Sequence, residues 1–377
     1  MQRRVLFLSL ILLAVSFAIT AALARSYHAR EEGLVTEWYD QGKADLAAEK
    51  PAAALEDFRN SLSYGPENQD VQFHLAEALL ADGQLTEAHS YLVNLWDRAP
   101  GTGEVNLDLA RVSTRTGDLD QAVRYYQGAI LGSWDEDPTR HRRDVRLELC
   151  EFLLGHRRTE EAQAVIASLA AETSPNDGAL LEENGRLFLR VGEPDKALAE
   201  FEAALKTNPR QSEWLAAAGR IAFEEGNFAK AETYFSRADH DNPSEDIHDS
   251  LELVRDVLAN DPYLAGLSEE EQARRSLRDF DLGLERLRKC PPAAAANPPV
   301  NLPSDQSPSS VQLVDKHAQD LRMRVNLSSL DNDFDLRNET MQIVFRIEDA
   351  TSQACGPATR LDQAMKLIEK GHEENNP

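Results

Sequence analysis

Motifs for metal or phosphate chemistry are missing from this chain. It has no HExxH, no glycine-rich phosphate loop, and no CxxC among its three cysteines. Its nine histidines are scattered, and none pairs with another at metal-ligand spacing inside an apolar frame. Asp331-Asn332-Asp333-Phe334-Asp335 opens like a calcium loop, but Leu336 stands where a sixth-place glycine is required and Gln342 where a twelfth-place glutamate is. A helix-capping acidic turn accounts for those residues. Asn326-Leu327-Ser328 and Asn338-Glu339-Thr340 would be glycosylation acceptors only in a eukaryotic secretory host. Base is scarce as well: 40 Lys and Arg face 65 Asp and Glu, a formal net charge of -25. Nucleic acid is thereby excluded as a partner, because phosphate binding needs a basic footprint. No catalytic residues, cofactor or metal site can be named, so the chain reads as a binding protein and not an enzyme.

Acid is absent from the first thirty residues, which hold four arginines. Within them Val5 to Ala24 runs for twenty residues without a charge. At about 1.5 Å per residue such a helix spans roughly 30 Å, the hydrocarbon thickness of a bilayer. Arg3 and Arg4 ahead of it favour a cytoplasmic N-terminus and put the remainder across the membrane. Ala22-Leu23-Ala24 is also a small-x-small signature that a signal peptidase can cut. Two readings therefore stand: a single-pass anchor in the inner (cytoplasmic) membrane, or a periplasmic or secreted product freed by cleavage near Ala24. Either places the bulk of the protein outside the cytosol.

What the chain has in quantity is a repeat. Gly192, Ala197, Phe201 and Ala204 recur 34 residues on as Gly226, Ala231, Phe235 and Ala238, and Pro209 recurs one place late as Pro243. Small residues, one aromatic and a closing proline at that period make the helix–turn–helix unit of a solenoid. The glycine lies where one helix turns into the next. The first alanine is small because the two helices of a pair cross there, the phenylalanine fills the space between them, and the second alanine lets the next unit approach. Ala54, Phe58 and Pro66 mark an atypical first unit with Trp38 ahead of them. Leu75, Ala76, Leu79, Gly83, Ala88, Leu92 and Pro100 mark the second; Leu109, Ala110, Gly117, Ala122, Tyr126 and Ala129 mark the third. From Ala122 to Ala162 the step lengthens to 40. The surplus falls around Trp134 to Arg140, an acidic, turn-rich stretch that reads as a surface loop. Leu149, Cys150, Leu153, Ile166 and Leu169 carry the fourth unit.

From about residue 35 to 243 these residues resemble the tetratricopeptide repeat family. The resemblance implies an all-α, right-handed superhelix of about six antiparallel helix pairs. The first helix of each pair would line a concave face that holds a peptide or partner helix. In that register the groove-facing places include Arg111 and Arg115, then Arg186 and Arg190, then Arg220. Four-residue spacing stacks each arginine pair one turn apart. Converging guanidinium groups favour carboxylates, so an acidic peptide is one expected partner. Glu77, Glu151, Glu182, Glu213 and Glu224 lie at comparable places, so a lattice of internal ion pairs is the other reading.

Domain boundaries follow: an anchor or signal segment over 1–30, the solenoid over 31–243, capping helices over 244–290, a Pro-rich linker over 291–310 and C-terminal helices over 311–377. Ile247–Leu258 and Ser268–Lys289 read as amphipathic helices. The last helices, with Met341, Val344, Phe345, Ile347, Leu361, Ala364, Met365 and Ile368 in their stripes, are expected to fold back on 268–289 as a small bundle. The tail, with Cys355-Gly356-Pro357, also somewhat resembles that of membrane-anchored bacterial proteins of this repeat type. Cys150 occupies a helix-crossing place held elsewhere by Ala or Gly and reads as a small buried hydrophobe. Cys290 and Cys355 end helices on either side of the linker; outside the cytosol they are expected either to bridge or to remain two thiols. The sequence thus predicts a membrane-tethered interaction scaffold, with a cleaved accessory subunit of an envelope enzyme or assembly complex as the alternative.

Overall fold

The computed structural model describes residues 2–290, 310–355 and 359–375; at 2–12, 14, 15, 28, 310, 374 and 375 only the backbone is described. The linker expected over 291–310 lies, except for Ser310, outside the described residues. All named elements are helices, and the chain divides into two compact units, 1–172 and 173–377.

Unit 1 contains four helix pairs: α1 (Gln2–Ala47) with α2 (Pro51–Tyr64), α3 (Gln69–Asp82) with α4 (Leu85–Arg98), α5 (Gly103–Thr116) with α6 (Leu119–Leu131), and α7 (Pro138–Gly155) with α8 (Thr159–Glu172). Local sequence sets the breaks. Gly83 and Gly117 end α3 and α5 with φ of 83° and 82°, a left-handed turn that a side chain disfavours. Asn68 accepts hydrogen bonds from the backbone N–H of Asp70 and Val71, and Asp118 from that of Gln121, so the next helix starts at once. Ala54, Ala88, Ala122 and Ala162 are all fully buried, as the crossing register predicts. The facing residue on the first helix is small too: a Cβ on Gly42 would lie 2.7 Å from the Phe58 ring. Ala76, Ala110 and Cys150 hold the equivalent places and are fully buried.

One expectation for this unit needs correction. The stretch after α6 is not simply a surface loop, because Trp134 is buried. Its indole Nε1 donates to the Ala129 carbonyl at 2.9 Å, and its ring stacks on His141 with centroids 4.6 Å apart. The ring lies on Gly103, where an added Cβ would meet it at 2.3 Å. Paired 2.8 Å backbone bonds join Ser133 to Gly101 and Gly103. The acidic residues that follow, Asp135 and Asp137, do face solvent. Burying a large aromatic contributes about 1.5–3 kcal/mol or more, so the extra residues pin the α5–α6 end in place.

Helix α1 is continuous from the charge-free segment into the first pair. Half of the Val5–Ala24 side chains lie outside the described residues; those described, including Leu13, Phe17, Ile19 and Leu23, are exposed. Among the described residues no helix is long and apolar enough to cross a membrane, so the expected transmembrane helix finds no support in the fold.

Unit 2 opens with two more pairs, α9 (Gly178–Arg190) with α10 (Pro194–Thr207) and α11 (Ser212–Glu224) with α12 (Phe228–Asp241). Ala197 and Ala231 are fully buried, and Phe201 and Phe235 are 1% exposed. Cβ atoms on Gly185 and Gly219 would come within 2.9 and 2.8 Å of those two rings. Beyond them lie α13 (Glu245–Asn260), α14 (Glu269–Lys289), α15 (Ser310–Arg322), the short α16 (Leu327–Asn332), α17 (Phe334–Cys355) and α18 (Arg360–Asn375). Asn326 and Ser329 form a reciprocal cap on α16, an element the sequence pattern did not suggest. Asp333, in the calcium-loop-like run, accepts from the Leu336 N–H at 2.9 Å at the start of α17. Phe280, Leu287, Val314, Leu321, Met341, Ile347 and Ile368 share one core, in which α14 packs on α17 and α18 packs on α13. Cys290 and Cys355 are joined by a disulfide with Cα atoms 5.8 Å apart. Ser268 caps α14 by accepting from the Glu271 N–H.

Candidate functional site

The first helices of unit 1 bring their polar side chains into one network centred on Arg111. Its Nε and Nη2 donate to the two carboxylate oxygens of Glu148 on α7, at 3.0 and 2.9 Å. Its Nη1 donates to Asp108 Oδ1 one turn back, at 3.2 Å. Glu148 also accepts from the Tyr126 hydroxyl at 2.9 Å. Three fork positions of the guanidinium are thus filled by the protein's own acids. Arg115 is exposed, and its guanidinium donates to the Leu80 carbonyl.

The acids outnumber that arginine. Burial pushes Asp108 up to about 7, helped by the charge of Glu77 and opposed by Arg111. Burial also pushes Glu77 up to about 7, against the pull of Arg111. For Glu148 burial acts upward too, but the hydrogen bonds and charge of Arg111 prevail and hold its carboxyl below the usual range. Asp108 Oδ2 is buried without a hydrogen bond. Glu104, one turn before Asp108, is raised by its burial and by Asp135. At the α1 end, Tyr39 meets His74 edge to face and carries Lys43 over its ring at 5.3 Å.

The other candidate arginines lie in unit 2. Arg186 is exposed and paired with Glu182 four residues back on α9. Arg190 is exposed in the last turn of α9, and Arg220 is exposed on α11. The five arginines therefore divide between the units: Arg111 and Arg115 stand on α5 of unit 1, and Arg186, Arg190 and Arg220 on α9 and α11 of unit 2. Sequence reasoning missed Asp108 and Glu148 as members of the unit 1 network. Asp108 stands three residues before Arg111, and its place among buried positions of α5 was the available signal.

Two family models described as tetratricopeptide repeat match this chain, one over residues 39–101 and 182–246, the other over 79–131. The chain carries tetratricopeptide repeats. It is 26% identical over 212 residues to mouse (Mus musculus) tetratricopeptide repeat protein 21A, an alignment covering 50% of this chain and 14% of the relative. It therefore spans only a small part of that curated relative's length. Among solved structures it is similar to the C-terminal part of a TPR repeat-containing protein from Cytophaga hutchinsonii, with a TM-score of 0.45 and 14% identity over 65% of this chain and 95% of that one. YrrB, a TPR protein, gives a TM-score of 0.38 and 16% identity over 52% and 97% of the two chains. PilF of Pseudomonas aeruginosa gives 0.32 and 19% over 58% and 92%. The matched repeats include α3 to α6, on which Glu77, Asp108, Arg111 and Tyr126 of the network stand.

Proposed function

We propose that this protein is an interaction scaffold whose first-helix face in unit 1 receives a segment of another protein carrying basic side chains. One observation carries this reading: Arg111 is already occupied by Asp108 and Glu148, while Asp108 Oδ2 is buried without a hydrogen bond, and burial raises both Glu104 and Glu77, the latter with His74 3.9 Å away. A lysine or arginine set among them relieves the mutual repulsion of the carboxylates and supplies the missing donor. An acidic peptide would face the same carboxylates with like charge, so a basic segment fits better there than the acidic one suggested by the arginine positions alone. Arg220, exposed on α11, remains a place on unit 2 where an acidic group would be received.

The charge-free stretch of α1, with Leu13, Phe17, Ile19 and Leu23 exposed, supports a role for that segment as a tether in the inner membrane, with the repeats on its extracytoplasmic side. Cleavage near Ala24, giving a periplasmic subunit, is the competing outcome, and N-terminal sequencing of the mature protein separates them.

The scaffold reading is tested by titrating the purified chain with fluorescent peptides of equal length, one rich in lysine and one rich in glutamate. The basic peptide should bind, weaken with added salt, and lose affinity in a Glu77→Gln/Glu104→Gln variant. Preferential binding of the acidic peptide to the unaltered chain would reverse the assignment.

A further inference from the structure

A second cluster of buried charge, remote in sequence from the Arg111 network, lies in the C-terminal bundle. Asp279 on α14, Glu348 on α17 and Asp362 on α18 line a cavity of about 140 Å³ together with Arg286. The arginine is fully engaged. It contacts Asp362 Oδ2, lies 3.0 Å from Glu348 Oε2 and donates to the hydroxyls of Thr351 and Ser352. Asp362 also accepts from the Thr359 N–H. Lys289 also lines the cavity but is paired with Glu285 at 2.8 Å, which leaves Arg286 as the cation for Glu348 and Asp362.

Asp279 is the member left over. Its side chain is fully buried, and neither oxygen has a hydrogen bond. Arg278 Nε stands 4.0 Å from Oδ1, the outer limit of an ion pair, and its fork donates instead to the Ala259 carbonyl. Arg275, the other neighbouring cation, donates to the carbonyls of Leu258 and Asp261. Glu348 Oε2 has no hydrogen bond either, but it is ion-paired with Arg286 at 3.0 Å, so Asp279 alone lacks a close cation. Burying an acid without a donor is costly, and a native fold rarely leaves one so without a reason. The remaining wall is Leu282, Leu361 and Met365, which suit an alkyl chain, with Thr359, Glu285 and Lys289.

We propose that this cavity binds a primary alkylammonium group, held by Asp279 and Glu348 with its alkyl stem against Leu361 and Met365. An ammonium is compact and has three N–H donors on diverging axes, which matches two carboxylates on different helices better than the planar fork of a guanidinium. A metal ion fits less well, since among the described residues no group of three His, Cys, Asp or Glu is arranged to hold one. Burial pushes both Asp279 and Glu348 up to about 8 when no such cation is bound, so ligand entry would displace protons. The ammonium can come from a free amine or from a lysine side chain of another protein.

The test is calorimetric titration of the full chain with n-butylammonium chloride, beside sodium and tetramethylammonium chloride at equal ionic strength. Saturable binding of butylammonium alone supports the site, because tetramethylammonium carries the charge without N–H donors. Asp279→Asn should reduce that affinity on the order of tenfold or more, consistent with loss of a charge-assisted hydrogen bond. Should that variant fail to fold, Glu348→Gln provides the same reading. Nα-acetyl-lysine methylamide binding as well as butylammonium would identify a protein lysine as the ligand; butylammonium binding alone would identify a free amine. Equal responses to all three salts, or undiminished binding in a folded Asp279→Asn or Glu348→Gln chain, would overturn the proposal.

Discussion

Arg111 and Glu148 stand 37 residues apart and meet fork to fork, with two parallel hydrogen bonds of 3.0 and 2.9 Å. The bond joins the first helices of successive pairs across the lengthened step of the array. It needs α7 to resume in register after the extra residues, and Trp134, seated on Gly103, fixes that restart. Packing and the polar network thus support the same junction, one through apolar burial and the other through a bidentate ion pair.

Replacing Arg111 with Met should destabilise the chain by about 1–3 kcal/mol, because Asp108 and Glu148 then face each other without a cation. The partial exposure of Arg111 keeps the loss below that of a fully buried pair. A paired Arg111→Met/Glu148→Gln variant should recover part of the loss. Urea unfolding midpoints for the four members of this cycle measure the coupling directly, and strict additivity would show the pair contributes nothing.

Trp134→Ala should cost about 3–5 kcal/mol and, as a distinguishing sign, should loosen the Ser133–Gly101 backbone pairing. Hydrogen exchange of the Ser133 and Gly103 amides reports this. Unchanged protection of both amides would return the stretch to the status of a tolerated loop.

Much of the fold was legible because solenoid packing is local. Ala54, Ala122 and Ala197 are small for a reason that lies within a single pair, so a 34-residue period exposes them. Trp134 was not legible: its partner Gly103 lies 31 residues back, outside the phased set. The only hint was an aromatic residue inside an otherwise polar insert. Asp279 was hidden for a related reason. It falls on the buried stripe of α14 between Ser276 and Gly283, yet an acid next to Arg278 and two residues before Asp281 reads as part of a solvated face. The five arginines lie on the first helices α5, α9 and α11; what pattern alone withheld was that Arg111 would meet Asp108 and Glu148.

Ala197→Leu should cost about 1–3 kcal/mol, since the side chain at this crossing has no room to expand. Ala199, exposed two residues on in α10, is the control and should tolerate leucine within about 0.5 kcal/mol. Thermal melts of both variants decide it; equal losses would mean that helix propensity, and not the crossing, sets the effect.

Alkylation under denaturing, non-reducing conditions should modify one cysteine, Cys150, and leave Cys290 and Cys355 joined across their separation of 65 residues. Closing a loop of that length stabilises by at most about 4 kcal/mol in the chain-entropy model. Reduction should therefore lower the unfolding midpoint of unit 2 more than that of unit 1. Three alkylated cysteines in protein taken from its native compartment would remove the bridge, and with it one argument for an oxidising location.

Stability should also fall as the solution becomes more alkaline, and the sign follows from the two buried acids. Asp279 and Glu348 are each raised to about 8 in the folded chain by burial, whereas in the unfolded chain they titrate near about 4. Between those values the folded state holds protons that the unfolded state has lost. Folding is therefore favoured below about pH 4 relative to higher pH, and this contribution disappears progressively as pH rises through about 8. Each group can tilt the curve by at most about 1.4 kcal/mol per pH unit. Arg286 and Arg278 face the cluster and oppose the shift, so the observed slope should be shallower than the sum of two groups. Asp279→Asn cannot titrate there, and its urea midpoint should decline less than that of the unaltered chain between pH 5 and pH 8. Identical slopes for the two proteins would show that Asp279 is ionised throughout and already neutralised by its arginine neighbours.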